Sequence, residues 1–211
     1  MPDWSHIVLL LAAYLIGGLS PGYWLVKRAS GIDLRATGSG ATGATNAGRI
    51  LGKRGFWAVM FFDILKGMLI VLLARHFPSD ASLAWQFAAS FAVVAGHIWP
   101  VWLGFRGGKG VATFYGAWCP LFDARGFIPA LVCLALSLIL KYVFRRSFKN
   151  SWLAVHALFP AGVWWLTRNH PDNVPVTLIN AAMILAIWLA HRENIAAMFG
   201  KTEARGQKSE I

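Results

Sequence analysis

The chain has 211 residues, of which 57% are hydrophobic and only 14% charged, with a mean hydropathy of +0.53. A soluble domain of this length would carry more charge, so the composition excludes an ordinary soluble protein and indicates an integral membrane one. The formal net charge of +11 would suggest nucleic acid in a soluble protein. Here the basic residues lie between apolar runs, where they set topology and meet anionic lipid, and no nucleic-acid partner is expected.

A bilayer-crossing helix needs about 20 apolar residues, and the hydropathy pattern places candidates at 4–26, 57–74, 83–103, 111–122, 128–144, 152–167 and 174–190. The fourth is short. The first has no basic residue before Leu9 and carries Asp3, which does not suit a cleaved leader; a retained helix is expected,. No period-2 alternation runs through the chain, which disfavours a β-barrel. Cys119 and Cys133 belong to no CxxC or metal-ligand pattern, and neither a disulfide nor a metal site is expected,.

The basic residues test this assignment. Lys27, Arg28, Arg35, Arg49, Lys53 and Arg54 fall in the first loop, Arg106 and Lys109 in the third, Lys141, Arg145, Arg146 and Lys149 in the fifth, and Arg192, Lys201, Arg205 and Lys208 at the C-terminal end. Only Arg75, Arg125 and Arg168 lie in the intervening loops. By the positive-inside rule the sequence predicts an all-α membrane bundle of about seven crossings, with its N-terminus outside and its C-terminus cytoplasmic. Residues 1–200 form one transmembrane domain in this reading, followed by a polar tail over 201–211.

The cytoplasmic side then holds the polar motifs. Residues 37–49 contain Gly38, Ser39, Gly40, Thr42, Gly43, Thr45, Asn46 and Arg49. Gly38, Gly40 and Gly43 imitate a dinucleotide fingerprint, but apolar spans flank them where that motif requires strand and helix. Small residues expose backbone N–H groups, and Arg49 can grip a phosphate with two donors, so this loop suits an anion; a plain flexible connector is the alternative. Gly107-Gly108-Lys109-Gly110 sets a cation in a turn without side-chain bulk, just before a predicted helix start,. A glycine turn with a topology-setting lysine is the blander reading. His191 and Asn194, three apart at the end of the last span, share a face that could meet a polyol, although a histidine at a helix end also simply suits the dipole,. Asp63 and Lys66, also three apart but inside the second span, are expected to pair with each other,. A packing or hydrogen-bonding role is expected for His97.

GSGATGATN at 38–46 with Arg49, DILKG at 63–67, GHIWPVWLGFRGGKGVAT at 96–113 and HRENI at 191–195 together resemble the acyl-phosphate-dependent glycerol-3-phosphate acyltransferases (PlsY type), in order and in spacing. The resemblance implies a seven-helix membrane enzyme of phospholipid synthesis in the bacterial inner membrane, with its site facing the cytoplasm. It implies transfer of a fatty acyl group from acyl phosphate to the 1-hydroxyl of glycerol 3-phosphate, giving 1-acyl-glycerol 3-phosphate and phosphate, with no cofactor. It further implies that Ser39, Arg49 and Lys109 hold phosphate. Gly40, Gly43, Thr45 and Asn46, with Gly107 and Gly108, would shape the donor's phosphate site, and His191 and Asn194 would hold the acceptor's hydroxyls. A monomer is expected.

The chain departs from the family pattern at Ala41, where Asn is frequent, at Arg106, where Lys is frequent, and at 145–151, where Ser147, Lys149 and Ser151 stand in a region that commonly holds adjacent serines. No His is followed five positions later by Asp, which argues against the acyl-CoA-dependent class. Two other readings are a phosphate or organic-phosphate transporter and a membrane protein without activity. A transporter site would sit near the midplane, often between repeated halves, and neither feature is visible.

Overall fold

The computed structural model describes residues 4–77, 82–121, 156–193 and 195–196. The expected span at 128–144, the start of the one at 152–167, Ser147, Lys149, Ser151, Asn194 and the tail at 201–211 lie outside the described residues. Among those described, every regular element is helical. In chain order they are α1 (Trp4–Gly18), α2 (Pro21–Ser30), α3 (Ala44–His76), α4 (Leu83–Ile98), α5 (Val111–Leu121), α6 (Phe159–Thr167) and α7 (Asn173–Ala190). Short 3-10 turns at Leu34–Ala36 and Val101–Leu103 interrupt the connections. Among the described residues, four stretches are long and apolar enough to cross a membrane: Trp4–Ser30, Ala44–His76, Leu83–Leu103 and Asn173–Ala190.

Two expectations about spans need correction. The first span is longer than 4–26 and is broken. Pro21 has no N–H to give to the preceding turn, so α1 stops and α2 restarts with the proline at its first position,. The break releases the Leu19 carbonyl, which accepts a hydrogen bond from Lys66 Nζ at 2.9 Å; at membrane depth such a carbonyl needs a protein partner. The loop expected over 27–56 is also shorter, because α3 begins at Ala44. α3 is not one straight rod: residues 44–51 turn sharply against the rest at Gly52, bringing Gly48 against Phe56, and residues 53–76 supply about 36 Å, enough for the hydrocarbon,. Gly48, Gly52, Gly55 and three basic side chains conceal the helical pattern there, and the helix itself bends at Gly52 (φ 69°, ψ −165°).

Helices in lipid gain little from hiding apolar surface from one another, so close packing of small residues carries much of the association. Two crossings show it. Where α1 meets α4, a Cβ on Gly17 would lie 2.2 Å from the Val93 carbonyl oxygen, and one on Gly96 2.0 Å from that of Tyr14. Where α3 meets α5, the same holds for Gly67 against Thr113 (2.3 Å) and Gly116 against Ile64 (2.0 Å). Larger side chains fill the remaining interior: Phe87, Phe114, Trp118 and Phe159 form an edge-to-face aromatic group beside Val163, Val176, Met183 and Ile187,. This frame holds the 31–43 and 99–110 segments against each other.

Candidate active site

The first glycine-rich segment is built around one amide. Asn46 is buried at the start of α3, and its Nδ2 donates toward the carbonyls of Leu34, Thr37 and Ala41 at 3.1, 2.9 and 3.0 Å. Its Oδ1 accepts from the Arg49 guanidinium at 3.2 Å and, more weakly, from the Ser39 N–H at 3.4 Å. Asn46 therefore spends its hydrogen-bonding capacity inside the loop and orients Ser39 and Arg49, both of which are exposed. Gly38 has φ +56°, and a Cβ there would stand 2.2 Å from Asn46 Oδ1 and 2.6 Å from Arg49. Its absence of a side chain is what lets these groups meet. Gly43 starts α3 in extended conformation, and Thr45 is exposed on the first turn. Thr45, Arg49, Lys53 and Phe56, with Gly48 and Gly52, line an open cleft of about 290 Å³.

A surface clamp ties this segment to the second one. Asp33 takes both Arg35 Nε (3.0 Å) and Arg35 Nη2 (2.7 Å), while Arg35 Nη1 donates to the Leu103 carbonyl at 2.8 Å. The Arg35 hydrogen bonds, opposed by burial, bring the Asp33 carboxyl down to about 2. The Thr42 N–H donates to the Gly107 carbonyl at 3.2 Å, a direct backbone link between the two glycine segments.

In the second segment the N–H groups of Gly107 and Gly108 donate to the carbonyls of Ile98 (3.1 Å) and His97 (3.0 Å). These two glycines use their N–H groups to close the C-terminal end of α4. Their bareness answers to space: a Cβ on Gly107 would lie 2.1 Å from the His97 carbonyl oxygen, and one on Gly108 2.0 Å from His97 Nε2. Lys109 follows half-buried, at the threshold of α5. Burial lowers its pKa, the positive Arg49 adds to that, and the carboxylate of Glu193 opposes it.

His191 closes α7 and is buried. Its Nδ1 lies 2.8 Å from the Ile187 carbonyl oxygen, and since a carbonyl can only accept, Nδ1 carries the proton,. Burial, helped by the nearby charges of Lys109 and His156 and opposed by the Ile187 bond, brings the ring's pKa down to about 4. At neutral pH His191 is thus an uncharged imidazole whose Nε2 is an acceptor, suited to receive a hydrogen bond from a hydroxyl.

The charges that Lys109 feels record which parts meet. Arg49 comes from the start of α3, Glu193 and His191 from the end of α7, and Lys109 from the turn before α5. Lys109 is therefore within electrostatic reach of Arg49 and Glu193, and His191 within reach of Lys109, while Asn46 ties Ser39 to Arg49. Glu193 joins this group through the fold, and in the sequence only its place two residues after His191 points to it.

Asp63 and Lys66 pair at 2.9 Å, as their spacing predicts. His97 joins them: Lys66 Nζ lies 2.9 Å from His97 Nδ1. The Leu19 carbonyl accepts from the same ammonium at 2.9 Å, and His97 Nδ1 also lies 3.3 Å from Asp63 Oδ1, so the charge buried within the bundle is surrounded by polar partners,.

The comparisons agree with this assembly. The family described as "Glycerol-3-phosphate acyltransferase" matches over residues 7–201. The chain is 42% identical over 202 residues to "Glycerol-3-phosphate acyltransferase 1" of Desulfitobacterium hafniense, covering 94% of this chain and 93% of the relative. It is 35% identical over 215 residues to "Glycerol-3-phosphate acyltransferase" of Clostridioides difficile, with full coverage of both. It also resembles the crystal structure of PlsY, an integral membrane glycerol 3-phosphate acyltransferase, in its glycerol 3-phosphate form (TM-score 0.74, 31% identity, 93% of each chain). Likeness to that enzyme's lysophosphatidic acid form is similar, with a TM-score of 0.72, 30% identity and 93% of each chain covered. These matches set aside the transporter and inactive-protein readings: the chain belongs to the family of integral-membrane glycerol-3-phosphate acyltransferases.

Proposed function

We propose that the protein transfers a fatty acyl group from acyl phosphate to the 1-hydroxyl of glycerol 3-phosphate at the cytoplasmic face of a bacterial inner membrane. The observation that carries this reading is the convergence of Arg49, Lys109 and His191 from three distant segments. Two cations beside a neutral acceptor suit two substrates that both bear phosphate, one of which also bears hydroxyls. The basic residues that crowd alternate loops support seven crossings with this site inside,.

Arg49, Ser39 and Lys109 hold phosphate, with Gly40, Gly43 and Thr45 completing its surroundings at the first loop and the start of α3. Asn46, Gly107 and Gly108 act through the groups they position. His191 Nε2 accepts a hydrogen bond from a glycerol hydroxyl, and Asn194, three residues further along the sequence, takes a second one. An acyl phosphate is already activated, so the protein works by holding the reactants in line and stabilising charge. The hydroxyl oxygen bonds to the acyl carbon, the bond from that carbon to the bridging phosphate oxygen breaks, and the departing phosphate accepts the hydroxyl proton. Lys109 and Arg49 offset the negative charge that collects on it.

The test uses purified protein in detergent with palmitoyl phosphate and glycerol 3-phosphate, reading phosphate release and lysophosphatidate together, with palmitoyl-CoA as a parallel donor. Product from the acyl phosphate alone, in a one-to-one ratio with phosphate, is expected. Folded protein that gives no product with acyl phosphate overturns the reading.

A further inference from the structure

The Asp63–Lys66–His97 cluster lies within the bundle, yet its outer atom meets the candidate site. Lys66 Nζ pairs with Asp63 Oδ1, donates to the Leu19 carbonyl and lies against His97 Nδ1, each at 2.9 Å. His97 Nδ1 also lies 3.3 Å from Asp63 Oδ1, so this edge of the ring is held between the ammonium and the carboxylate,. The ring orientation is thereby fixed from below. On its other side, Nε2, Cε1 and Cδ2 are the three nearest atoms to the space a Cβ on Gly108 would occupy, at 2.0, 2.7 and 3.0 Å. The carbonyl of the same residue accepts the Gly108 N–H at 3.0 Å. One residue therefore holds Gly108 by its backbone and supports it by its ring, and Lys109 is the next residue along.

We propose that His97 is a positioning residue: anchored by the Lys66–Asp63 pair, its ring sets the height of the Gly107–Gly108 turn and so the placement of the Lys109 ammonium. This rests on the assignment of Lys109 as a phosphate-holding cation. It gives the buried pair a purpose beyond bracing. Charges inside a membrane bundle are costly, and here the pair turns a histidine into a rigid prop, linking the break between α1 and α2, the middle of α3 and the end of α4 to one turn of the site. A displacement of about 1 Å in a reacting geometry can cost on the order of 100-fold in rate, so a prop of this kind is worth retaining.

The test is a size exchange. Asn in place of His97 keeps an amide near the position of Nδ1 but removes the far edge of the ring, while Gly108→Ala adds a methyl into the space that edge fills. Wild type, H97N, G108A, the double variant and K109A are purified in detergent and assayed with palmitoyl phosphate and glycerol 3-phosphate. We expect G108A to lose at least about 30-fold in kcat/KM and the double variant to recover at least about 5-fold of that loss, a non-additivity reserved for residues in contact. A double variant no better than G108A alone overturns the proposal, because two independent structural lesions would multiply. If G108A is not monodisperse, H97N alone decides, with inorganic phosphate as the probe. A rise of about 5-fold in the phosphate inhibition constant, at a wild-type-like melting midpoint, supports positioning. A lowered midpoint with an unchanged inhibition constant overturns it. Wild-type kinetics in K109A would instead remove the site assignment, an outcome read separately from the exchange at His97 and Gly108.

Discussion

The two glycine-rich segments look alike in composition and are built on opposite principles. In the first, Gly38 adopts a left-handed conformation and makes room for the Asn46 amide, which gathers three carbonyls and hands Ser39 and Arg49 to the surface. In the second, Gly107 and Gly108 lie against the backbone and ring of His97, and their N–H groups are consumed in closing α4. One loop is organised by a side chain and presents its polar groups outward. The other is organised by close contact with the interior and presents a single lysine. Glycine content alone does not reveal whether the requirement is for conformation, for space or for a ligand.

Substitution separates these principles. The largest effect is expected for Gly107→Ala, whose Cβ would meet the His97 and Ile98 carbonyl oxygens at 2.1 and 2.7 Å, atoms that cannot swing away. A cost of about 3 kcal/mol or more follows from such overpacking. It should be read as lost monodisperse protein and a lower melting midpoint in detergent. Asn46→Ala comes next. It strands buried carbonyls of the first loop and should cost about 2–3 kcal/mol, with activity falling further than stability because Ser39 and Arg49 lose their guide. Activity measured per folded molecule would show whether loop order or overall stability is affected.

A third expectation concerns the point where the segments meet. The pKa of His191 falls from 6.5 to about 4 on folding. Between those values the unfolded chain holds a proton that the folded chain does not, so this contribution is complete above pH 6.5 and disappears as pH falls toward 4. Its upper limit is about 3 kcal/mol. Melting midpoints should drop over this window in wild type and drop less in His191→Gln. Activity should show no His191-dependent loss near pH 6.5; an inflection there that vanishes in His191→Gln would contradict the neutral-acceptor role.

The smallest structural effect is expected for Gly43→Ala. Its φ is −81° and nothing lies within 4 Å of an added Cβ, so only a helix-capping cost below about 1 kcal/mol applies. Unchanged stability with a large loss of activity would show that Gly43 is bare for the substrate, in contrast to Gly107. Unchanged stability with unchanged activity would remove it from the site.

How far the sequence could be read depended on the range of the interaction. Apolar runs revealed the long spans, because lipid imposes the same requirement on every turn. The Asp63–Lys66 pair was legible from its spacing, since three residues along a helix fix two side chains on one face. His97 lies 31 residues from Lys66, and no local pattern announces that it caps the pair. The break at Leu19 was missed although Pro21 signals it, because apolar residues continue on both sides. The helical start at Ala44 was missed because glycines and cations there read as a loop. The motif residues were located by resemblance, but the occupation of Asn46 within its own loop, the steric need for Gly107 and Gly108, and the presence of Glu193 beside Lys109 depend on folding.

The central claim is that the two glycine segments contribute to one anion site, Arg49 from one and Lys109 from the other. It is tested most directly by kcat/KM for Arg49→Gln, Lys109→Gln and the double variant, each assayed at high enzyme concentration with palmitoyl phosphate and glycerol 3-phosphate. Each single change is expected to cost about 100-fold, the scale for removing one donor from a charge-stabilising site. The double variant should lose far less than the product of the two, because either change already dismantles the shared site. Losses that multiply would contradict the account and assign the two cations to separate tasks.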